Sequence, residues 1–261
     1  MKHVLIRRAV STNQTLVVLV ATDGMFKGSK NFCQELVKAC PTVKSIVLNV
    51  NKRQTSVVLS DNEKVLYGKG FIVDELCGLT FKISARSFYQ INHEQCVKLY
   101  AKVKELLNSQ KDEIILDTYC GIGTIGMSVA DKCQEVIGVE LNKDAYKDAL
   151  NNAKMNHIDN VRFINDDATE FMIQMANKHQ SVDSIIMDPP RAGSTKEFIH
   201  SIKVLQPKKV VYVSCDPTTQ ARDLKWFKEI GYQASDVYLY DMFPHTGHVE
   251  SIMLFVSQDI R

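Results

Sequence analysis

The sequence predicts an α/β protein in which a parallel sheet, covered by helices on both faces, follows a smaller α+β domain. From about Glu94 onward, short apolar segments alternate with amphipathic segments, as strands and helices do in such a sheet. Before that point the segments are short and strand-like, with one helical stretch. We therefore predict two domains, a basic domain over residues 1–84 and an α/β domain over residues 85–261.

The N-terminal domain is predicted to contain short strands and one helix. The predicted strands are His3–Arg8, Thr15–Ala21, Ser45–Asn49, Ser56–Leu59 and Leu79–Ile83, and the helix lies near Lys30–Ala39. Turn signals occur at Gly68-Lys69-Gly70 and at Ser60-Asp61-Asn62.

The C-terminal domain is predicted to contain seven strands. They are Ile114–Leu116, Glu135–Val139, Val161–Ile164, Ser184–Met187, Lys209–Val213, Ala234–Asp241 and Val249–Val256, with helices over Glu94–Asn108 and from Thr124, Lys143, Thr169, Thr195 and Thr218. The last two strands have no helix between them, which predicts an antiparallel hairpin. Seven strands with that ending match the Rossmann-like fold of S-adenosylmethionine (SAM)-dependent methyltransferases better than a plain dinucleotide-binding fold.

Composition excludes several classes of protein. The chain of 261 residues is 45% hydrophobic and 24% charged, as in ordinary globular proteins. No apolar run approaches the roughly 18 to 20 residues needed to span a bilayer, and the start does not resemble a secretion signal. The seven cysteines are widely spaced without a CxxC pair, which argues against a metal site and for a reducing cytoplasm.

Charge is unevenly distributed. Residues 1–60 hold nine lysines and arginines against Asp23 and Glu35, a net charge of +7, so the remaining residues sum to −5 within the total of +2. A basic segment beside a near-neutral one indicates a polyanionic partner. A solvated basic face is an equally good interpretation of the charge alone.

A glycine-rich loop follows the first strand of the α/β domain. Gly121, Gly123 and Gly126 satisfy the GxGxxG pattern, which is compatible with an NAD enzyme. However, Asp117 ends the preceding strand, where an anionic pyrophosphate would be repelled and the cationic groups of SAM would be attracted. Glu140 ends the next strand and could hold ribose hydroxyls of either cofactor. These residues together favour SAM.

Polar side chains follow the other strands in the same way. Asp166-Asp167, Asp188 and Cys215 come after strands three, four and five, and Glu250 opens strand seven. Ligands of open parallel sheets bind beyond the carboxyl ends of the strands, so these groups are expected at one edge. A single aspartate at such a position is more often a helix cap. The indication of a ligand site is that several strand ends place polar groups at the same edge.

The chemistry that suits a thiol at this edge is methylation of a pyrimidine at C5. A DPP sequence after strand four also occurs in amino-group methyltransferases, but Arg191 replaces the aromatic residue that follows it there. A thiolate adding to C6 would make C5 nucleophilic, and a base would later remove the C5 proton. Arg191, Arg222 and His245 are candidate cations for the thiolate. His245, His248 and Glu250 are all candidate bases, with the histidines favoured by their ordinary pKa of about 6.5.

Five motifs in order carry a resemblance to a known family. They are SFYQIN from Ser87, DTYCG from Asp117, DPPR from Asp188, SCDP from Ser214 and FPHTGHVE from Phe243. Together they resemble the RNA 5-methyluridine (uracil-C5) methyltransferase family, densely over residues 80–261 and more loosely before them.

The resemblance implies a set of functional residues. Cys215 would be the nucleophile and Glu250 the base, in place of a histidine, so that His245 and His248 become positioning residues. The positions at which the family contacts SAM correspond to Gln90, Tyr119, Gly121, Glu140, Asp167 and Asp188. Among them, Gly121 belongs to the glycine loop and Asp167 would contact the adenine. Tyr119 could instead be a core residue and Asp167 a helix cap.

Two features depart from the family. Members usually carry an N-terminal TRAM barrel, which is expected to be missing here, and some bind an iron–sulfur cluster through four cysteines that this chain lacks. The FPHTGHVE loop is more like the ribosomal-RNA branch, which favours 23S rRNA as the substrate of a cytoplasmic monomer. The alternatives are a tRNA uridine methyltransferase, an NAD-dependent oxidoreductase and an inactive RNA-binding fragment.

Overall fold

The computed structural model describes residues 1–55 and 57–258. The chain divides into two compact units, a first unit over Met1–Tyr89 and a second unit that begins at Gln90. Within the described residues, no helix is long and apolar enough to cross a membrane.

The first unit is a four-stranded sheet with one helix and one hairpin in its described part. Its elements are β1 (His3–Ala9), β2 (Gln14–Ala21), α1 (Ser29–Ala39), β3 (Val43–Val50), β4 (Glu63–Tyr67), β5 (Phe71–Leu76) and β6 (Leu79–Ser84). The strand order is β1-β2-β3-β4, and α1 connects the parallel pair β2 and β3.

Both faces of this sheet are packed because side chains alternate along β2. Val17 and Leu19 face a cluster that includes Cys33 of α1. Leu16 and Val18 face the opposite cluster, which includes residues of the β5–β6 hairpin. The predicted helix and four of the five predicted strands of this region are confirmed, whereas β4 and β5 were not predicted.

The predicted strand Ser56–Leu59 is wrong over the residues that the structure describes, and Ser56 lies outside them. Residues 57–59 form a loop. The Nδ2 atom of Asn51 donates to the carbonyl oxygens of Val57 (2.8 Å) and Val58 (2.9 Å). This side chain takes the carbonyl groups that a neighbouring strand would otherwise use, so an apolar sequence remains a loop.

The second unit is built around a seven-stranded sheet within the described residues. Its strands are β7 (Ile114–Asp117), β8 (Glu135–Val139), β9 (Val161–Ile164), β10 (Ser184–Met187), β11 (Lys209–Ser214), β12 (Tyr232–Tyr240) and β13 (Glu250–Ser257). Its helices are α2 (His93–Leu107), α3 (Thr124–Val129), a short 3-10 helix (Ala130–Lys132), α4 (Lys143–Met155), α5 (Ala168–Asn177), α6 (Lys196–Leu205) and α7 (Pro217–Glu229).

The strand order in this sheet is β12-β13-β11-β10-β7-β8-β9. Strands β7 to β11 are parallel, and β13 inserts antiparallel between β11 and β12. The predicted α/β fold and its final hairpin are therefore confirmed. From β7 the chain adds β8 and β9 on one side of the sheet, and then β10 and β11 on the other side. The loop after β7 therefore lies at a topological switch point, where open α/β sheets bind ligands.

Polar residues in the loops set where the helices begin. Asn92, Asn142, Asp167, Thr195 and Asp216 each accept a backbone N–H of the following helix through a side-chain oxygen. Such caps satisfy donors that a helix leaves unpaired in its first turn. Four of these helices follow parallel strands, so the caps also fix the loops at the carboxyl edge of the sheet.

Candidate active site

The second unit brings the predicted polar residues to one edge of its sheet. Asp117 ends β7, Glu140 follows β8 and Asp188 follows β10. Cys215 follows β11, and Glu250 is the first residue of β13. Because β13 runs against β11, its beginning lies where the parallel strands end. Five separate strands thus contribute a carboxylate or a thiol to the same edge.

The glycine loop connects β7 to α3 and approaches the next strand closely. The backbone N–H of Gly121 donates to Oε2 of Glu140 at 2.9 Å, and Gly121 has a φ of 56° with open space where a Cβ would be. A Cβ on Gly126 would lie 2.9 Å from Oδ2 of Asp117 and 3.0 Å from Cγ1 of Val136. Glycine at position 126 therefore lets α3 pack directly on the sheet.

Asp117 is the carboxylate at the centre of this edge, and its side chain is fully buried. Its Oδ2 accepts the N–H of Gly126 at 2.9 Å, whereas its Oδ1 has no hydrogen-bond partner in the described part of the chain. Burial, followed by the negative charge of Glu140, raises the pKa of Asp117 to about 7. Sequence reasoning used Asp117 to choose between cofactors but did not include it among the site residues.

Glu140 and Asp167 are both engaged by backbone amides. Glu140 accepts from Gly121 through Oε2 and from Asn142 through Oε1 at 2.6 Å. Asp167 accepts from Thr169 (2.8 Å) and Glu170 (3.1 Å) through Oδ1, which makes it the cap of α5. The cap interpretation of Asp167 is therefore correct, and its contact with an adenine stays a prediction.

Gln90 and Tyr119 differ in how they are held. Gln90 is 9% exposed, and no described residue makes a hydrogen bond with its side-chain amide. Tyr119 is half-buried and packs on Phe198, with 5.8 Å between the ring centroids. Burial raises the pKa of Tyr119 to about 12, so its hydroxyl stays protonated. Tyr119 thus has the core contact that sequence analysis left open, and Gln90 has an amide available for a ligand.

Cys215 and Glu250 face each other across neighbouring strands. The last pair of the β11–β13 ladder is Ser214 with Ser251, so Cys215 and Glu250 are the residues next to this pair on the two segments. The negative charge of Glu250 acts on the Cys215 thiol, as expected for neighbouring groups. Cys215 is half-buried and Glu250 is 4% exposed. The two strands therefore present a thiol and a carboxyl group side by side.

The pKa values of both groups are raised. Burial raises the pKa of the Glu250 carboxyl. Burial also raises the pKa of the Cys215 thiol, and the negative charges of Glu250 and Asp188 raise it further. Burial, then Glu250 and Asp117, hold the pKa of Asp188 well above its usual range. The edge therefore contains carboxyl groups that repel one another and would be stabilised by a cation.

Arg191 is the cation that opposes these effects at the thiol. Its positive charge lowers the pKa of Cys215, although less than burial raises it. Its Nε lies 3.5 Å from Oδ2 of Asp216, and one guanidinium nitrogen lies 3.3 Å from Nδ1 of His248. His245 and His248 are themselves exposed. Of the three candidate cations, Arg191 is the one that acts on the thiol.

Arg222 forms an ion pair with Asp223 rather than acting on the thiol. Its guanidinium bonds to Oδ1 of Asp223 at 2.6 and 2.8 Å and also reaches the carbonyl oxygens of Ala192 and Ser194. Asp223 is fully buried, and its Oδ2 accepts from the N–H of Ser194 and the hydroxyl of Tyr212, both at 2.8 Å. This network ties the loop after β10 to α7 and β11, and no sequence motif predicted it.

Comparison with known proteins gives the family. A family model described as tRNA (uracil-5-)-methyltransferase matches residues 49–258, which is most of the chain. The chain belongs to this family. The chain is similar to an uncharacterised RNA methyltransferase of Enterococcus faecalis (40% identity over 98% of the chain) and to one of Halalkalibacterium halodurans (41% over 97%). It spans about half the length of these two relatives, 56% and 55%.

A solved member of similar fold is the Pyrococcus abyssi tRNA (uracil-54, C5)-methyltransferase in complex with S-adenosyl-L-homocysteine. It matches with a TM-score of 0.80 and 30% identity, over 97% of this chain and 59% of that protein. The predicted methyltransferase fold and the predicted family resemblance are both confirmed.

Proposed function

We propose that this protein methylates C5 of a uridine in RNA through a covalent bond between Cys215 and C6 of the base. The observation that carries this proposal is the position of Cys215 opposite Glu250, at the edge where the glycine loop and three further carboxylates converge. A thiol and a carboxyl group together are the two groups that C5 methylation requires from a protein.

The cofactor in this proposal is S-adenosylmethionine. Its sulfonium and ammonium groups suit a set of mutually repelling carboxyl groups, and the buried Oδ1 of Asp117 has no partner among the described residues. Gln90, Tyr119, Gly121, Glu140, Asp167 and Asp188 are the proposed binding residues. When bound, SAM supplies an electrophilic methyl group. The P. abyssi relative, described with S-adenosyl-L-homocysteine, supports this assignment.

The protein groups act in a fixed sequence in this mechanism. The Cys215 thiolate forms a bond to C6 of uracil, and the electron pair of the C5–C6 double bond passes into an enolate. C5 then acquires the methyl group. Glu250 takes the proton from C5, the C5–C6 double bond re-forms, and the sulfur leaves as thiolate. Arg191 stabilises the thiolate at the first and last steps.

Glu250 is the base in this proposal, in place of the histidines that ordinary pKa values favour. Its carboxyl group is buried, opposite Cys215 and without a hydrogen-bond partner among the described residues, and burial raises its pKa toward the range of a useful base. His245 and His248 are exposed, and His248 contacts Arg191 instead. The histidines are thus better placed to orient Arg191 or the RNA.

For the RNA itself we propose a uridine of 23S rRNA, because the FPHTGHVE loop resembles that branch of the family. The alternative is a tRNA uridine, which the name of the matching family model and the P. abyssi relative favour. Mapping 5-methyluridine in rRNA and tRNA from cells with and without the gene separates the two. The basic domain predicted over residues 1–84, which lies within the first unit, is proposed to face the RNA, and the protein is proposed to work as a cytoplasmic monomer.

The proposed chemistry is tested with RNA that contains 5-fluorouridine at the target. Because C5 then carries no proton for Glu250 to remove, the covalent species cannot resolve. We expect an RNA–protein adduct on denaturing gels that needs SAM and is absent in Cys215→Ala. Cys40→Ala, which removes an exposed thiol from the first unit, is the matched control and should form the adduct. Adduct formation by Cys215→Ala would refute the assignment.

Cofactor titration and the adduct assay together separate the remaining alternatives. An NAD-dependent oxidoreductase would bind NAD rather than SAM, which calorimetric titration with each cofactor measures. An inactive RNA-binding fragment would bind RNA without forming the adduct.

A further inference from the structure

One end of the sheet in the first unit gathers chain segments that are distant in sequence. His3 pairs with Val20 and Val20 pairs with Asn49, so β1 begins where β2 and β3 end. The N-terminus, the loop after β2 with the first turn of α1, and the loop after β3 therefore lie at the same end. We call this surface the basic end and define it by Lys2, Lys27, Lys30, Lys52 and Arg53.

Each side chain of the basic end is exposed, and none has an acidic partner among the described residues. Two acidic residues lie in the same loops. The Oδ1 atom of Asp23 accepts the N–H of Met25 at 3.0 Å, and Asp61 forms an ion pair with Arg86. The first turn of α1 has no acidic residue and no side-chain cap. Glu63, at the start of β4, lies close to Arg86 as well, so the acidic groups near this end are not paired with the five cations of the basic end in the described part of the unit.

Hydrogen bonds among the described residues hold the backbone of the basic end in place, and of its five charged groups only the Lys2 ammonium takes part in them. The N–H of Asn51 donates to the carbonyl of Ala21 at 2.8 Å, which joins the two loops. The N–H of Arg53 donates to Oδ1 of Asn51 at 2.9 Å, and Nζ of Lys2 donates to the carbonyl of Arg53 at 2.6 Å. The cations thus project from an ordered surface rather than from loose loops.

The opposite end of the same sheet provides a contrast. Lys38 lies in the last turn of α1, where a cation complements the helix dipole. Lys44 donates through Nζ to the carbonyl of Pro41 at 2.9 Å. Both are exposed lysines of the same unit with an evident local role.

We infer that the basic end binds the phosphate backbone of the RNA substrate. The inference rests on the proposed function for the nature of the polyanion. Lysine and arginine at a surface bind phosphates without regard to base sequence, and each neutralised phosphate releases condensed counterions. The basic end therefore contributes affinity and orientation, and leaves the choice of uridine to other contacts.

The test compares variants of the full chain by fluorescence anisotropy with fluorescein-labelled oligo(U) RNA over a series of KCl concentrations. The quadruple variant K27A/K30A/K52A/R53A should bind more weakly and lower the slope of log K against log salt by about 2 to 3, since each phosphate contact contributes about 0.7 for a single strand. The matched control K38A/K44A should keep the parental slope. A charge-preserving variant, K27R/K30R/K52R/R53K, should also keep it.

The outcomes separate this inference from the proposed function. An unchanged slope in the quadruple variant, or an equal loss in the control, would overturn the inference, as would loss of binding in the charge-preserving variant. At saturating RNA the quadruple variant should still form the Cys215 adduct with 5-fluorouridine. A quadruple variant that forms the adduct and keeps the parental affinity and salt slope would leave the methyltransferase proposal intact and refute the role of the basic end.

Discussion

At the scale of single residues, the Cys215 thiol is subject to opposing charges. Burial, Glu250 and Asp188 raise its pKa, and Arg191 lowers it. The free protein is therefore expected to hold Cys215 mainly as the unreactive thiol near neutral pH. Because the proposed cofactor brings a positive charge to the same edge, its binding is expected to lower the pKa of the Cys215 thiol.

Glu250→Gln should lower the pKa of the Cys215 thiol, because the substitution removes a negative charge and keeps the size of the side chain. The measurement is the rate of alkylation by iodoacetamide as a function of pH, with mass spectrometry to identify Cys215. Asp166→Asn is the matched control, since Asp166 lies at the same edge and does not affect the thiol. An unshifted alkylation profile in Glu250→Gln would show that the two groups are not neighbours.

Glu250→Gln should also accumulate the covalent adduct on ordinary RNA. A glutamine amide cannot accept the C5 proton, so the methylated base stays attached to Cys215. Denaturing gels with labelled RNA and SAM measure the adduct, and His245→Gln and His248→Gln serve as controls that should turn over. Full turnover by Glu250→Gln, with accumulation in one of the histidine variants, would move the base to that histidine.

At the scale of elements, the buried carboxylate of Asp223 fixes the loop after β10. Gly193 in that loop has a φ of 77°, and a Cβ there would lie 2.6 Å from a guanidinium nitrogen of Arg222. The loop therefore closes on α7 without space for a side chain. Since Arg191 belongs to this loop, Asp223 is a positioning residue for the cation beside Cys215.

Asp223→Ala should lower the free energy of unfolding by about 3 kcal/mol, because it leaves the buried Tyr212 hydroxyl and Ser194 N–H without an acceptor. Urea unfolding measures this change. Asp236→Ala, at an exposed position of β12, is the control and should change stability by less than about 0.5 kcal/mol. Equal stabilities for the two variants would contradict the role of the network.

The positioning role of Asp223 has a separate measurement. If the loop holds Arg191 beside the thiol, Asp223→Asn should raise the pKa of Cys215 in the alkylation assay, whereas a purely structural role would leave that pKa unchanged.

The sequence predicted elements well where apolar periodicity decides them. The seven strands and six α-helices described in the second unit were predicted at nearly their observed positions, because strands buried on both faces are continuous apolar runs that stand out from amphipathic helices. The short 3-10 helix Ala130–Lys132 was not predicted. The other errors lie in the first unit. The apolar run that includes Val57 and Val58 is withheld from the sheet by the side chain of Asn51, and such a contact leaves no trace in periodicity.

The site was predicted to a different degree. Glu140 and Asp188 could be assigned to the site from the sequence because both follow parallel strands. The carboxyl ends of parallel strands lie at one edge of a sheet in every protein of this fold class. Asp223 could not be assigned from the sequence, because its interior position in α7 resembles that of any helix residue. Identifying which of Arg191, Arg222 and His245 acts on the thiol also required the structure, since the sequence does not show that Arg222 is hydrogen-bonded to Asp223.

At the scale of the whole molecule, the carboxyl edge links stability to pH and to the cofactor. The pKa of Asp117 rises to about 7 in the folded protein, above the value of about 3.9 for an unfolded chain. The folded state therefore holds a proton that the unfolded state releases, so this group lowers stability progressively as pH rises between these values. Above about pH 7 Asp117 is ionised in both states, and the whole loss of folding stability from ionising this buried carboxyl group is present.

Binding of cationic SAM should therefore raise the melting temperature more at about pH 8 than at about pH 6, because the ionised Asp117 interacts more favourably with a cation. Differential scanning fluorimetry at saturating SAM measures the shift. S-adenosylhomocysteine lacks the sulfonium charge and should show a smaller pH dependence. Asp117→Asn should abolish the difference between the two pH values; an unaltered difference would assign the effect to another group.

The antiparallel course of β13 has a consequence for the order in which the protein becomes active during synthesis. The ribosome delivers the glycine loop and Cys215 first, and Glu250 only with the strand that inserts between β11 and β12. A nascent chain can thus present the proposed nucleophile without the residue that we propose as the base. Insertion of β13 supplies Glu250, so completion of the sheet and completion of the proposed catalytic pair are one event.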